Sequence, residues 1–165
     1  MELDKLKTKQ VYIQLLVDAS VKKSELLYSL IEITQQQEEL MEQSAFEEDA
    51  FLETVSRKEE LLKRLEELDH GFDQTFEHVR EELAGNKYRY EAEIRTLQGH
   101  IAEISDRSVK LQAMELRNRA KLEALLTRKR KEIRRSMVSS RTAAAYYKTM
   151  SNQNEEQSFF YDKKK

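Results

Sequence analysis

Residues 56–69 read SRKEELLKRLEELD, and this stretch decides the fold class. Leu62 and Leu65 belong to an apolar frame with the spacing of one face of an α-helix and not that of a strand, and Leu61 and Leu68 flank this frame. Charged residues occupy most of the remaining positions. The segment therefore predicts a helix that buries one apolar stripe and exposes its other sides to water.

The same spacing continues on both sides of this segment. The apolar positions of the second helix are Phe51, Val55, Leu62, Leu65, Phe72, Phe76, Val79 and Leu83. A first stripe runs from Leu6 to Met41, and a third runs from Tyr90 to Met137. All three are wider than the seam of a two-stranded coiled coil. They predict an all-α fold: a long antiparallel helical hairpin or three-helix bundle with coiled-coil-like packing and a flexible C-terminal tail.

Composition agrees with long helices joined by few turns. The 165 residues include no proline, no cysteine and three glycines, and 36% of them are charged. The absence of cysteine excludes disulfides and thiolate metal sites. The acidic start, Met1 to Asp4, is unlike a secretory signal, and charges interrupt the most apolar stretch, Val11 to Ile33. We therefore expect a cytoplasmic protein without membrane insertion.

Two breaks divide the predicted bundle of residues 1–148. Ser44 and Glu47 have the spacing of a capping box, and Gly85 can adopt the left-handed dihedrals that end a helix. These breaks predict helices at 3–43, 44–84 and 86–148, with the tail at 149–165. Folding at Gly85 places Gly71 and Gly99 across the hairpin from each other, where we expect the backbones to approach.

Charge is distributed unevenly along the chain. Residues 38–83 contain sixteen acids and five bases, a net charge of −11, whereas residues 117–148 contain eleven bases and two acids, a net charge of +9. Reflection of the chain about Gly85 predicts Glu53 opposite Arg117 and Glu38 opposite Glu132. Such pairs would select register and orientation more than they would add stability.

The third helix changes character after residue 113. Glu115, Asn118 and Lys129 fall where its earlier apolar frame predicts buried residues. The apolar stripe then slips to a new set of positions, which we take as candidate substrate-binding residues. These candidates are Leu122, Leu125, Leu126, Ile133, Met137, Ala144 and Tyr147. Two interpretations stay open: a surface adjustment where this helix outruns its partners, or a face kept for a helix of another protein.

Residues with catalytic or metal-binding spacing are scarce. No Gly-Lys pair or glycine-flanked serine occurs, which excludes phosphate-binding loops and nucleophile elbows of the usual kinds. Glu67 and His70 form a single Glu-x-x-His pair, whereas a di-iron bundle needs two. We therefore expect no enzyme, no cofactor and no metal. The basic run at 128–135 lacks interleaved aromatic residues, so we expect protein contacts or a solvated face and no nucleic acid.

Two parts of the chain resemble a known family. Residues 28–41 read YSLIEITQQQEELM, and a short break leads into the SRKEELLKRLEELD stretch. The C-terminal residues 158–165 read SFFYDKKK. This succession resembles the FlgN/FliT class of flagellar type III export chaperones, and the ending is similar to FlgN-like proteins of Gram-positive flagellates.

The resemblance implies a cytoplasmic chaperone that binds amphipathic C-terminal helices. Its partners would be hook-filament junction proteins, or the filament cap protein for the FliT type, together with the flagellar export gate. In the family, substrate contacts concentrate in the C-terminal half, which corresponds here to the stripe from Leu122 to Tyr147. The competing interpretation is a structural coiled-coil scaffold or assembly protein without chaperone activity. A basic helical nucleic-acid binder is a third, and a homodimer is compatible with the first two.

Overall fold

The computed structural model of the protein describes residues 2–130, 144–146 and 148. Three helices account for most of these residues: α1 (Glu2–Glu42), α2 (Glu48–Gly85) and α3 (Glu91–Arg128). With 41, 38 and 38 residues, each is roughly 60 Å long at 1.5 Å per residue. The described residues contain no strand. The predicted all-α helical bundle is confirmed.

The helix α1 is the central element of the bundle. Its backbone lies close to those of α2 and α3, whereas α2 and α3 approach each other less closely. Lys9 bonds Glu82 and Lys23 bonds Asp69, so α2 runs antiparallel to α1. Ser20 bonds His100 and Glu42 bonds Lys121, so α3 runs parallel to α1.

This arrangement gives Glu38 a different neighbour from the predicted one. Glu38 lies 3.4 Å from Lys121, because the C-terminal end of α1 runs alongside α3 in the same direction. Glu132, its predicted neighbour, lies outside the described residues. Glu53 and Arg117, both described, form no ion pair. The reflection about Gly85 considered only the α2–α3 hairpin, where Lys58 bonds Glu115, three residues from the reflected position. It left out α1, which packs against both helices and contributes Glu38.

The connection between α1 and α2 differs from the predicted capping box. The helix α2 begins at Glu48, and its N-cap is Glu47, which has extended backbone and forms no side-chain capping bond. Phe46 instead packs on Phe51, with ring centroids 5.4 Å apart. These two residues precede and follow the N-cap in the positions of a hydrophobic staple, which sets the entry of the chain into α2. Ser44 therefore lies in the connection.

The glycines play smaller roles than predicted. The helix α2 ends at Gly85, next to the predicted end, but none of the three glycines has a positive φ. Asn86 closes the helix, since its backbone N–H and its side-chain amide both donate to the Glu82 carbonyl. A Cβ atom on Gly71 or Gly99 would meet no atom within 4 Å. The predicted close approach of backbones at these glycines is therefore wrong.

The interior consists of three apolar clusters along the bundle axis. The first cluster, near the N-terminal half of α1, contains Ile13, Leu16, Val79, Leu83, Tyr90 and Leu97. The middle cluster contains Leu27, Leu30, Ile31, Leu62, Leu65, Ile104, Leu111, Met114 and Tyr146. The end cluster contains Met41, Phe51, Val55, Leu122 and Leu125. Most of the buried polar side chains lie at the levels between these clusters.

Candidate functional site

A buried ion pair lies between the middle cluster and the end cluster. Lys58 of α2 and Glu115 of α3 bond each other, and both side chains are almost completely removed from solvent. The Lys58 ammonium also donates to Gln37 of α1 over 2.7 Å. All three helices thus contribute to one polar layer, which we call the Lys58–Glu115 layer.

Two further polar side chains belong to this layer. The Thr34 hydroxyl lies 3.0 Å from the Glu115 carboxylate, and the Asn118 amide donates to the Thr34 carbonyl over 3.0 Å. Glu115 and Asn118 are the residues that break the apolar frame of the third helix. The structure buries both of them, so the frame continues through this level with polar residues in core positions.

Tyr146 closes the layer from a distant part of the chain. Its hydroxyl donates to Glu115, and the Lys58 ammonium lies 4.0 Å from the centroid of its ring. The ring is buried in the middle cluster. One straight helix cannot include both Glu115 and Tyr146, because 31 residues at 1.5 Å each would separate them by roughly 45 Å. Accordingly, α3 ends at Arg128 and not near residue 148.

Desolvation dominates the electrostatics of the layer. Burial lowers the pKa of Lys58 to about 8, and the attraction and hydrogen bond of Glu115 only partly oppose this shift. Glu115 Oε2 and Asn118 Oδ1 are buried and accept no hydrogen bond. Pairing across three helices therefore comes at a cost in desolvation, and such layers contribute more to register than to stability.

A second polar layer lies between the first cluster and the middle cluster. Lys23 bonds Asp69 over 2.5 Å, and burial raises the pKa of the Asp69 carboxyl even with this lysine beside it. The Ser20 hydroxyl lies 2.7 Å from His100 Nδ1, and Arg107 donates to the Ser24 carbonyl over 2.6 Å. These contacts again tie neighbouring helices together at one level.

The candidate substrate-binding residues occupy different environments. Leu122 and Leu125 are buried in the end cluster, where Leu126 packs half-buried against them. Ala144 is exposed, whereas Ile133, Met137 and Tyr147 lie outside the described residues. The described leucines face the core because Met41 and Phe51 reach their level of the bundle. Their role in binding stays a prediction, and it would require the end cluster to open.

The opposite side of α3 exposes a second apolar stripe, which we call the outer stripe. Its members recur at intervals of three and four residues, with Asp106 interrupting the stripe once: Ala102, Val109, Ala113, Leu116, Ala120 and Ala124. Val109 is 62% exposed and Leu116 is 69% exposed. The sequence prediction missed this stripe because alanine scarcely registers in a search for large apolar residues. The alanine spacing along the helix is the signal that would have revealed it.

A shallow groove of about 410 Å³ lies between α1 and α2. Half-buried Leu26, Leu61 and Leu68 line its floor, and Lys22 and Arg64 are among the charged residues at its rim. The lining includes one hydroxyl, that of Ser29, and no histidine. The groove therefore offers an apolar packing surface with charged residues at its rim.

Two other candidates came from the sequence: the Glu67/His70 pair and the basic run. Glu67 and His70 are exposed on α2, and no group of three or more metal-ligating side chains occurs among the described residues. The basic run begins at the end of α3, where the Lys129 ammonium lies 5.9 Å from the centroid of the Phe46 ring. Within the described part of the chain, no helix has the length and apolarity needed to cross a membrane.

Comparison of the chain with protein-family models, with curated proteins and with solved structures gave no match.

Proposed function

We propose that this protein is a flagellar export chaperone that binds amphipathic C-terminal helices of hook-filament junction proteins. One observation carries the proposal: α3 keeps an apolar stripe in solvent on the side opposite its buried face. A soluble helix normally buries one stripe and solvates the rest. A second apolar stripe, with alanines that permit close helix–helix approach around two larger side chains, is the surface that a partner helix can cover.

This function would rest on reversible burial of apolar surface, with no covalent bond formed or broken. Full burial of a valine or leucine side chain stabilises a complex by about 1.5–3 kcal/mol, so Val109 and Leu116 would dominate the affinity. The alanines would bring the two helix backbones together and add little each. Delivery to the export gate, implied by the resemblance of residues 28–69 and 158–165 to the chaperone class, belongs to the proposal as well.

Calorimetric titration with C-terminal segments of hook-filament junction proteins tests the proposal. We expect a one-to-one complex with the intact chain. The double substitution Val109→Ser/Leu116→Ser should abolish the complex and leave the thermal unfolding midpoint unchanged, since both side chains are already exposed. A matched control is Val11→Ser/Leu15→Ser, which removes similar exposed side chains from α1 (59% and 48% exposed).

The control variant should bind as the unchanged protein does. Failure of every hook-filament junction segment and of the filament cap segment to form a stoichiometric complex would overturn the proposal. A stable oligomer of the free protein that dissociates in Val109→Ser/Leu116→Ser would instead favour a structural coiled-coil protein.

A further inference from the structure

The two edges of the outer stripe carry different charges. Along one edge, Lys110, Arg117, Lys121 and Arg128 recur at i, i+7, i+11 and i+18, which places them on one line of the helix. The other edge carries Ser105, Gln112, Arg119 and Glu123, and the last two bond each other over 3.2 Å. One edge is therefore basic, and the other is nearly neutral.

One member of the basic line already bonds residues within the bundle. Lys121 bonds Glu42 over 2.7 Å and Glu38 over 3.4 Å. Lys110 and Arg117 are exposed, and neither forms an ion pair in the part of the chain that the structure describes. They flank Val109 and Leu116, the two large side chains of the stripe. Asp106 lies one turn before Lys110 without forming an ion pair with it, and no acid lies three or four residues from Arg117. Two unpaired bases thus lie beside the apolar centre of this surface.

A second copy of the chain matches this surface poorly. Two antiparallel copies of α3, paired about the centre of the stripe, would bring Lys110 of one copy against Arg117 of the second copy. Asp106 would then lie opposite Lys121, but α1 already engages Lys121 through Glu38 and Glu42. Two parallel copies would place these bases opposite Ser105 and Gln112, where they gain no attraction. Like charges at the edges of a helix pair disfavour pairing, and opposite charges select it. The charge pattern therefore favours a partner helix with acidic residues.

We infer that the outer stripe binds an amphipathic helix of another protein that carries carboxylates seven residues apart, placed to meet Lys110 and Arg117. This inference rests on the proposed function, since it takes the outer stripe as the binding surface and specifies the partner's chemistry. The apolar stripe supplies the affinity. The basic edge selects the acidic flank and fixes the direction in which the partner helix lies.

Synthetic helices of about three heptads test the inference. Three peptides share the same apolar positions and carry glutamate, glutamine or lysine at the flanking positions. We expect the glutamate peptide to bind about tenfold more tightly than the lysine peptide, with glutamine between them, and the difference to shrink as salt increases. In the variant Lys110→Glu/Arg117→Glu, the order of the three peptides should reverse.

The matched control is Lys5→Glu/Lys7→Glu, which changes the net charge equally at exposed positions of α1. It should keep the original order of the peptides. Equal binding of all three peptides, or an order unaffected by Lys110→Glu/Arg117→Glu, would overturn the inference. So would a sedimenting dimer of the free chain that Leu116→Asp dissociates, because the second copy would then be the occupant.

The result with flagellar segments separates this inference from the proposed function. If hook-filament junction segments bind and ignore the charges at Lys110 and Arg117, the chaperone proposal stands and the inference fails. If the designed peptides bind in the expected order and no flagellar segment binds, the acidic-helix site stands and the chaperone proposal fails.

Discussion

The two faces of α3 differ in which kinds of side chain they bury and which they expose, along the same 38 residues. The inner face buries Leu111, Met114 and Leu122 and also carries Glu115 and Asn118 into the core. The outer face exposes Val109 and Leu116 among alanines. Apolar side chains thus occur on both faces, and polar side chains are buried on one. The position of the neighbouring helices, and not residue type alone, decides which side of α3 is interior.

Replacing a glutamate on each face should give the largest difference in the free energy of unfolding. Glu115→Ala leaves the Lys58 ammonium buried without its counter-charge, so the free energy of unfolding should fall by about 3–5 kcal/mol. Glu123→Ala removes an exposed ion pair with Arg119 and should cost about 0.3–0.5 kcal/mol. Urea denaturation measures both. Similar losses in the two variants would show that the Lys58–Glu115 layer is open to water.

Replacing a leucine on each face should also change the free energy of unfolding by different amounts. Leu111→Ala opens a cavity in the middle cluster and should reduce the free energy of unfolding by about 2–5 kcal/mol. Leu116→Ala removes a side chain that is 69% exposed, so we expect a change within about 0.5 kcal/mol. The measurement is chemical denaturation followed by circular dichroism. A loss above 2 kcal/mol in Leu116→Ala would show that part of the protein covers the outer stripe.

The inner face should make stability depend on alkaline pH through Lys58. At pH 7 the Lys58 side chain is protonated in both the folded and the unfolded state. Between pH 8 and 10.5 the unfolded state holds it more strongly, because burial lowers the pKa of Lys58 to about 8 in the fold. Stability therefore rises with pH across this window, by up to roughly 3 kcal/mol from this residue.

The variant Lys58→Met isolates this contribution, since it lacks the titrating group. The free energy of unfolding of the unchanged protein, relative to Lys58→Met, should increase between pH 7.5 and 9.5. Constant relative stability across this range would contradict the lowered pKa of Lys58.

The smallest expected effect lies outside the core. Gly99 is an exposed helical residue of α3 with a negative φ, and a Cβ there would meet no atom within 4 Å. Gly99→Ala should therefore stabilise the protein by about 1 kcal/mol, because alanine loses less backbone entropy in a helix. A thermal melt measures the change. Destabilisation would indicate that a neighbouring segment approaches the backbone at this point.

Local sequence features predicted the helices well and their ends less well. The stripe around Leu62 and Leu65 identified α2, and Gly85 marked its end. The start of α2 differed because Phe46 packs on Phe51, a contact that outweighs the capping potential of Ser44. Continuation of α3 to residue 148 was also predicted, since nothing near Arg128 resembles a helix-ending signal.

For the candidate site, too, the sequence predicted one part correctly and another part wrongly. The break in the apolar frame at Glu115 and Asn118 was visible in the sequence, and its position was correct. Its interpretation as a slip of the stripe was wrong, because Lys58 and Gln37 supply polar partners in the core. Those partners are far away in sequence, so no periodicity within α3 could indicate them.

The sequence by itself determined the all-α class and the three amphipathic helices, because hydrophobic periodicity is a local property of each segment. The tertiary structure alone decided that α1 lies between α2 and α3, that Lys58 meets Glu115 in the core, and that Tyr146 closes over them. It also decided which stripe of α3 stays in solvent. These outcomes depend on the register between distant helices, which is set by the sum of many weak contacts and not by any one segment.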